Sequence, residues 1–171
     1  MRRMQRLSIP LNLDEPGLKR LLALQARFAQ ACQATYRVAA DHNCFSRVAL
    51  HHLAYKQVRE AFADLGAQLV SNAIYVVSAA AKGGTDRLKP ASFGGALPVV
   101  LDRRTVSLAN GRLSIFTLEG RMKIQIQVSE ELEASIRSLS LKEALLERRD
   151  QAQPGFSLTF FFKNVQAHAT A

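Results

Sequence analysis

The order of periodic segments predicts an α+β fold for this chain of 171 residues: a β-barrel interrupted by a helical insertion. Residues 4–13 alternate apolar and polar side chains, as a half-buried strand does. Three helical stretches follow, and the apolar spacing returns to two beyond residue 95. Because one strand is unstable alone, we expect the first strand to pair with strands beyond the helices, which makes the helices an insertion.

Helix-capping residues and apolar stripes set the expected helix boundaries. Asp14 is the predicted N-cap of a helix that runs to about residue 40, with a proline in its first turn. Apolar residues at three-to-four spacing predict a second helix over 48–62 and a third over 66–82. Gly83 and its neighbour end the third helix, because glycine adopts the conformation that commonly follows a helix.

Turn residues divide the second half of the chain into strands. Asn110-Gly111 tolerates the positive φ angles of a type I′ turn and therefore predicts a hairpin of residues 105–108 and 113–116. Glu119-Gly120 predicts a second tight turn, after which residues 121–128 alternate apolar and polar side chains. One face of this strand should be buried and the other solvated.

Residues 130–149 leave two interpretations open. Their composition is that of a helix, yet the apolar run 158–162 needs a partner strand. Pro154-Gly155 predicts a turn, so the segment before it is alternatively the first strand of a closing hairpin.

The charge balance points to a polyanionic partner. Lys and Arg number 23 against 14 Asp and Glu, which leaves a net charge of +9. Phosphate backbones are the commonest surface that such an excess serves, although a basic protein without a nucleic-acid role stays an alternative. With 48% hydrophobic residues the sequence is too apolar for intrinsic disorder.

The sequence offers no pattern for a metal, a cofactor or a membrane. Cys32 and Cys44 form no CxxC pair and have no regular spacing to histidines, so we expect reduced core cysteines and no metal ligands. No apolar stretch approaches the length of a membrane span, and the N-terminus lacks the apolar region of a signal peptide. A cytoplasmic location without bound cofactor is therefore expected.

Two series of motifs carry a family resemblance. Residues 52–62, HLAYKQVREAF, with Leu65 and Ala67-Gln68, are similar to the series H-L-x-Y-x-x-x-R-x-x-F-x-L-x-A-Q. Residues 100–108, VLDRRTVSL, and 118–124, LEGRMKI, are similar to Y-D-x-R-x-F-S-L and L-x-x-G-R-x-K-V. In order and spacing the chain resembles the N-terminal half of TnpB-type (OrfB-type) transposon-encoded RNA-guided nucleases, relatives of the type V CRISPR effectors.

The resemblance implies a wedge domain shaped as an oligonucleotide-binding-type β-barrel and interrupted by a recognition domain of about three helices. Residues 1–13 would form the first wedge strand, residues 14–84 the recognition insertion and residues 85–171 the remainder of the barrel. In the family this lobe binds guide-type RNA and reads a short motif beside the target in duplex DNA. Those two nucleic acids are the expected partners.

The family's RuvC-like cutting half, with its metal-binding carboxylates and CxxC pairs, has no counterpart in this sequence. We therefore expect no catalytic residue and no nuclease activity. Two alternatives accompany this expectation: a truncated transposase fragment without function, and a subunit completed by a separately encoded nuclease half. The contact in the second case would be the C-terminal strand with Phe156, Phe160, Phe161 and Phe162.

The second helix supplies the expected DNA-reading residues. Tyr55 and Arg59 are neighbours at i and i+4 and could present an aromatic face and a guanidinium to nucleic acid. Packing and pairing with the neighbouring helix is an equally good interpretation of both. Lys56 and Gln57 lie toward the solvated face and are the stronger candidates for DNA contact.

Phosphate contacts are expected from two further groups of cations. Four of them fall on or beside strands whose other face is apolar: Arg103, Arg104, Arg121 and Lys123. Cations placed in this way neutralise phosphates and give affinity with little sequence information, whereas the alternative is an ordinary solvated strand face. The N-terminal residues Arg2, Arg3 and Arg6 form a basic arm that we expect to become ordered on RNA.

Overall fold

The fold was obtained as a computed structural model, which describes residues 5–82, 96–138, 140–149 and 155–163. These ranges contain both helices and antiparallel strands, which confirms the predicted α+β class. The elements in chain order are β1 (Gln5–Leu11), α1 (Glu15–Asp41), α2 (Arg47–Ala61), a 3₁₀ turn (Ala63–Leu65), α3 (Ala67–Ala81), β2 (Val99–Leu101), β3 (Val106–Ala109), β4 (Arg112–Thr117), β5 (Gly120–Gln125), α4 (Glu130–Ser138), β6 (Ser140–Arg149) and β7 (Gly155–Lys163).

Four strands form one antiparallel sheet in the order β1-β7-β6-β2. The first strand of the chain thus pairs with the last described one, with Ile9 opposite Leu158. This pairing confirms that the first strand finds its partner beyond the helices, since α1, α2 and α3 all lie between β1 and β2 in sequence.

The other three strands form a separate antiparallel sheet in the order β3-β4-β5, so the described strands build two sheets and close no barrel between them. A turn at residues 102–105 separates β2 from β3: the Asp102 carboxylate accepts the backbone N–H groups of Arg104 and Thr105 at 2.9 and 3.2 Å. The predicted β3–β4 hairpin is present, with φ of 54° at Asn110 and 70° at Gly111.

Residues 130–149 combine both interpretations that the sequence left open. Their first part is α4, and their second part is β6, which pairs with β7 on one side and β2 on the other. The residues of β6, SLKEALLERR, have the composition of a helix. The position of β6 between β7 and β2 outweighs this helical propensity, because ladder hydrogen bonds and packing on both sides stabilise the extended form.

The hydrophobic core lies between the helices and the inner faces of the strands. Phe28 of α1 is fully buried, and Gln25 beside it donates a hydrogen bond to the Leu97 carbonyl at 3.0 Å. Cys32 is buried and Cys44 half-buried, both as free thiols, and burial raises the pKa of the Cys32 thiol. None of the helices in the described ranges is long and apolar enough to span a membrane.

The phenylalanines of β7 serve mainly this chain's own core. Phe156, Phe160 and Phe162 are buried on the inner face of the four-stranded sheet. Phe161 alternates to the outer face, where it is half-buried and lies 5.9 Å from the Arg6 guanidinium. Of these four side chains, only Phe161 therefore lies on the outer face of the sheet.

Candidate nucleic-acid interface

The three-stranded sheet has one buried face and one open face. Side chains alternate along each strand, so every second residue points inward. The buried apolar side chains are Val106, Leu108, Leu113, Ile115, Met122 and Ile124. This face joins the core and holds the sheet against the rest of the molecule.

Strand register brings cations together on the open face. Lys123 of β5 lies opposite Ser114 of β4, Arg121 lies opposite Phe116, and Arg112 lies opposite Gln125. We call five exposed cations on this face and in the adjoining 102–105 turn the basic face: Arg103, Arg104, Arg112, Arg121 and Lys123. Of the four that the sequence predicted, Arg121 and Lys123 share this face with Arg104 beside them, and Arg103 lies in the adjoining turn. The structure adds Arg112 to this group.

Hydrogen bonds fix the geometry of the basic face. The Arg121 guanidinium donates to the Arg104 carbonyl at 2.6 Å and to Ser114 Oγ at 3.0 Å. Arg104 in turn donates through Nη1 to Gln68 Oε1 of α3 at 3.1 Å. Both guanidinium groups are therefore held in place by neutral oxygen atoms, which leaves their charge uncompensated.

Carboxylates pair with cations elsewhere in the molecule. The salt bridges of the described residues are Lys19–Glu15, Arg20–Glu119, Arg27–Asp64 and Arg137–Glu133. Within those residues no carboxylate lies within 4.0 Å of a basic-face cation. An uncompensated group of cations attracts polyanions and raises their local concentration.

A groove of about 670 Å³ runs beside the basic face, between β5 and the first turn of α1. Arg121, Lys123 and Gln125 line one wall, and Pro16 and Gly17 line the other. Because β5 is an edge strand, this wall is a rim of the sheet.

The four α2 residues predicted to contact DNA differ in solvent exposure and in their contacts. Tyr55 is half-buried and stacks on His51 with ring centroids 4.7 Å apart, so one face of its ring is covered. Arg59 donates to the Ala63 carbonyl at 3.0 Å and thereby holds the end of α2 to the 3₁₀ turn. Lys56 and Gln57 are exposed.

The N-terminal cations are separate from the basic face. Arg6 lies on β1 and points to the outer face of the four-stranded sheet, over Phe161. Arg2 and Arg3 lie outside the described residues. The arm predicted from the sequence is therefore not joined to the basic face through any described contact.

Arg112 was not predicted as a phosphate contact, because it immediately follows the Asn110-Gly111 turn. The alternation of side chains along a strand could have identified it, because a strand that begins at the turn places Arg112 on the same face as Ser114 and Phe116. The register then sets it opposite Gln125, two positions along β5 from Lys123.

The described residues hold no group of three or more His, Cys, Asp or Glu side chains that could bind a metal ion. No protein-family model matches this chain, and no curated protein matches it in sequence. Inferences about the candidate interface therefore depend on its own geometry and charge.

Proposed function

We propose that this chain is a nucleic-acid-binding lobe that holds the phosphate backbone of a structured, guide-type RNA on its basic face. The observation that carries the proposal is the group of five exposed cations on the open sheet face and in the turn beside it, without a carboxylate partner in the described residues. Neutralising phosphates there would release condensed counterions, which is the main source of sequence-independent affinity.

The chemistry of the basic face favours backbone over base recognition. Guanidinium and ammonium groups donate to phosphate oxygens, and the hydroxyl groups of Ser107 and Ser114 on the same face add neutral donors. Such contacts position a strand without reading its sequence. We therefore assign affinity to the basic face.

Sequence reading is assigned to α2. Lys56 and Gln57 are exposed on this helix, and glutamine and lysine can bond to base edges in a major groove. We propose that they read a short motif in duplex DNA, with Tyr55 and Arg59 as positioning residues. The contacts of Tyr55 with His51 and of Arg59 with the Ala63 carbonyl support the positioning role.

The finer fold assignment is also a proposal. The two sheets would correspond to the oligonucleotide-binding-type wedge of TnpB-type proteins, and α1 to α3 to its recognition insertion. The pairing of β1 with β7 across that insertion supports the correspondence. We further propose that the lobe does not cut nucleic acid by itself and that a separate nuclease subunit contacts the outer face of the four-stranded sheet near Phe161.

Salt dependence of binding tests the proposal. Fluorescence anisotropy with a structured RNA and with duplex DNA should give an affinity that falls about a thousandfold between roughly 50 and 200 mM salt, as expected for ~6 phosphate contacts. The double variant Arg121→Ala/Lys123→Ala should lower the logarithmic salt slope by about one for each contact removed.

Lys19→Ala is the matched control, because Lys19 is exposed, pairs with Glu15 and lies outside the basic face. Circular dichroism should show the same fold for all variants. Affinity that does not respond to salt, or an identical salt slope in the double variant, would remove the basic face from the binding site. Cleavage of DNA by the purified chain with magnesium would overturn the non-catalytic part of the proposal.

A further inference from the structure

A second cationic pocket lies where α2 and α3 meet the four-stranded sheet, with a volume of about 240 Å³. Its side chains come from distant parts of the sequence, and none of them belongs to the basic face. The residues that line it are Arg47, Gln68, Asn72, Tyr75, Val100, Leu101, Asp102, Lys142, Glu143 and Lys163.

Three cations converge on this pocket from three different elements. Arg47 begins α2, Lys142 lies on β6 and Lys163 ends β7, and all three are exposed. Within the described residues, none of them lies within 4.0 Å of a carboxylate. Like charges brought together in this way repel one another, and a bound anion would relieve that repulsion.

Two carboxylates also line the pocket, and they differ in their contacts. Asp102 is occupied: it accepts the backbone N–H groups of Arg104 and Thr105 and a hydrogen bond from the Gln68 amide. Glu143 has no salt bridge among the described residues and opposes any anion that enters. The pocket would therefore bind an anion more tightly if Glu143 were neutral.

Neutral donors complete the wall. Tyr75 is half-buried, and the Arg47 guanidinium lies 4.8 Å from its ring centroid. Burial, and then the charge of Glu143, raise the pKa of the Tyr75 phenol, which keeps its proton available for donation. Asn72 also lines the pocket, and its amide donates a 2.9 Å hydrogen bond to the Val100 carbonyl.

The size of the pocket limits the ligand. Sites for drug-sized molecules typically measure roughly 300–1,000 Å³, so a pocket of about 240 Å³ encloses a smaller group, such as one phosphate. Three cationic donors and a phenol match the oxygens of a phosphate. An internal phosphodiester needs room for a chain on both sides and carries one charge, whereas a terminal phosphomonoester ends in the pocket and carries up to two.

We propose that this pocket binds the terminal phosphate of a nucleic-acid strand through Arg47, Lys142 and Lys163. The inference rests on the proposed function for the identity of the ligand, but it uses a different set of side chains from the basic face. The two can therefore fail separately.

The test compares one short single-stranded oligonucleotide in three forms, with a 5′-hydroxyl, a 5′-phosphate or a 3′-phosphate, on the full chain. We expect one phosphorylated form to bind about tenfold or more tightly than the hydroxyl form, because hydrogen bonds to charged groups are the strong ones. Inorganic pyrophosphate, added as competitor, should abolish that advantage while the binding of the 5′-hydroxyl form persists.

Variants assign the advantage to the pocket. Lys142→Ala/Lys163→Ala should remove it, and Glu143→Gln should enlarge it, since a neutral amide no longer repels the phosphate. Lys19→Ala removes a cation outside the pocket and should leave the advantage unchanged. Equal affinity of the three oligonucleotides for the parent chain, or a loss of the advantage in Lys19→Ala as large as in the double variant, would overturn the inference.

Isothermal titration with pyrophosphate separates the remaining outcomes. If the oligonucleotides bind without discrimination and pyrophosphate does not bind, the pocket inference is wrong while the proposed function stands. If pyrophosphate binds and no oligonucleotide does, the proposed function is wrong and the pocket takes a free phosphate compound instead of a strand end.

Discussion

The two antiparallel sheets of this protein differ in how much of their second face is buried. In the four-stranded sheet even the outer face contains buried side chains, such as Thr159 and Val100 at 1% and 4% exposure. In the three-stranded sheet burial is confined to one face, and the other carries Arg112, Arg121 and Lys123 in the open. The four-stranded sheet is therefore buried on its inner face and on part of its outer face, whereas the three-stranded sheet leaves one face accessible to a ligand.

The two sheets should differ most in how much their aromatic side chains stabilise the fold. Phe160→Ala removes a fully buried ring from the four-stranded sheet and should lower the free energy of unfolding by about 3–5 kcal/mol. Phe116→Ala is the matched control on the three-stranded sheet, where the ring is half-buried, and should cost clearly less. Urea denaturation followed by circular dichroism measures both, and equal losses would contradict the division of roles.

Substitutions in α2 and on the basic face should differ in their effect on DNA sequence preference. Lys56→Ala/Gln57→Ala should flatten the preference among short DNA duplexes, since each base-edge contact contributes ~1–3 kcal/mol of discrimination. Arg121→Ala/Lys123→Ala should weaken binding to all sequences and leave the preference intact. Gel-shift assays on a duplex panel distinguish the two pairs. Uniform weakening by both pairs would show that α2 does not read the DNA sequence.

The smallest effect tests the turn that joins β4 to β5. Gly120 has a φ of 87°, and a Cβ there would meet no atom within 4 Å, so Gly120→Ala should cost only the backbone strain of ~1–2 kcal/mol. Gly66→Ala is the sterically crowded counterpart, because its Cβ would lie 3.1 Å from Phe116 Cε1, and it should destabilise the protein further. Thermal unfolding ranks the two, and the reverse order would mean that Phe116 moves aside at little cost.

Much of the candidate interface followed from alternation along the strands. Arg121 and Lys123 are separated by one residue and thus share a face of β5, and the Asn110-Gly111 turn sets β3 beside β4. The hydrogen bond from Arg121 to the Arg104 carbonyl was beyond sequence reasoning, since it depends on how the 102–105 turn folds back on β5.

No pattern in the sequence predicted the second cationic pocket. Arg47, Lys142 and Lys163 come from separate elements, and only their packing places them around one cavity. Lys142 also depends on β6 being a strand, which its composition does not predict. A helix over the same residues would have directed that side chain elsewhere.

Features that depend on neighbouring residues could be predicted from the amino-acid sequence. They are the Asp14 cap, whose carboxylate accepts the Gly17 N–H at 2.8 Å, the amphipathic helices and the Asn110-Gly111 hairpin. Tertiary structure decided the strand state of residues 140–149, the division of the strands into two sheets and the gathering of cations into a face and a pocket. The physical reason is the separation along the chain of the groups that interact. Capping and turn formation are completed within a few residues, whereas strand pairing and charge clustering require groups that only the folded chain brings into contact.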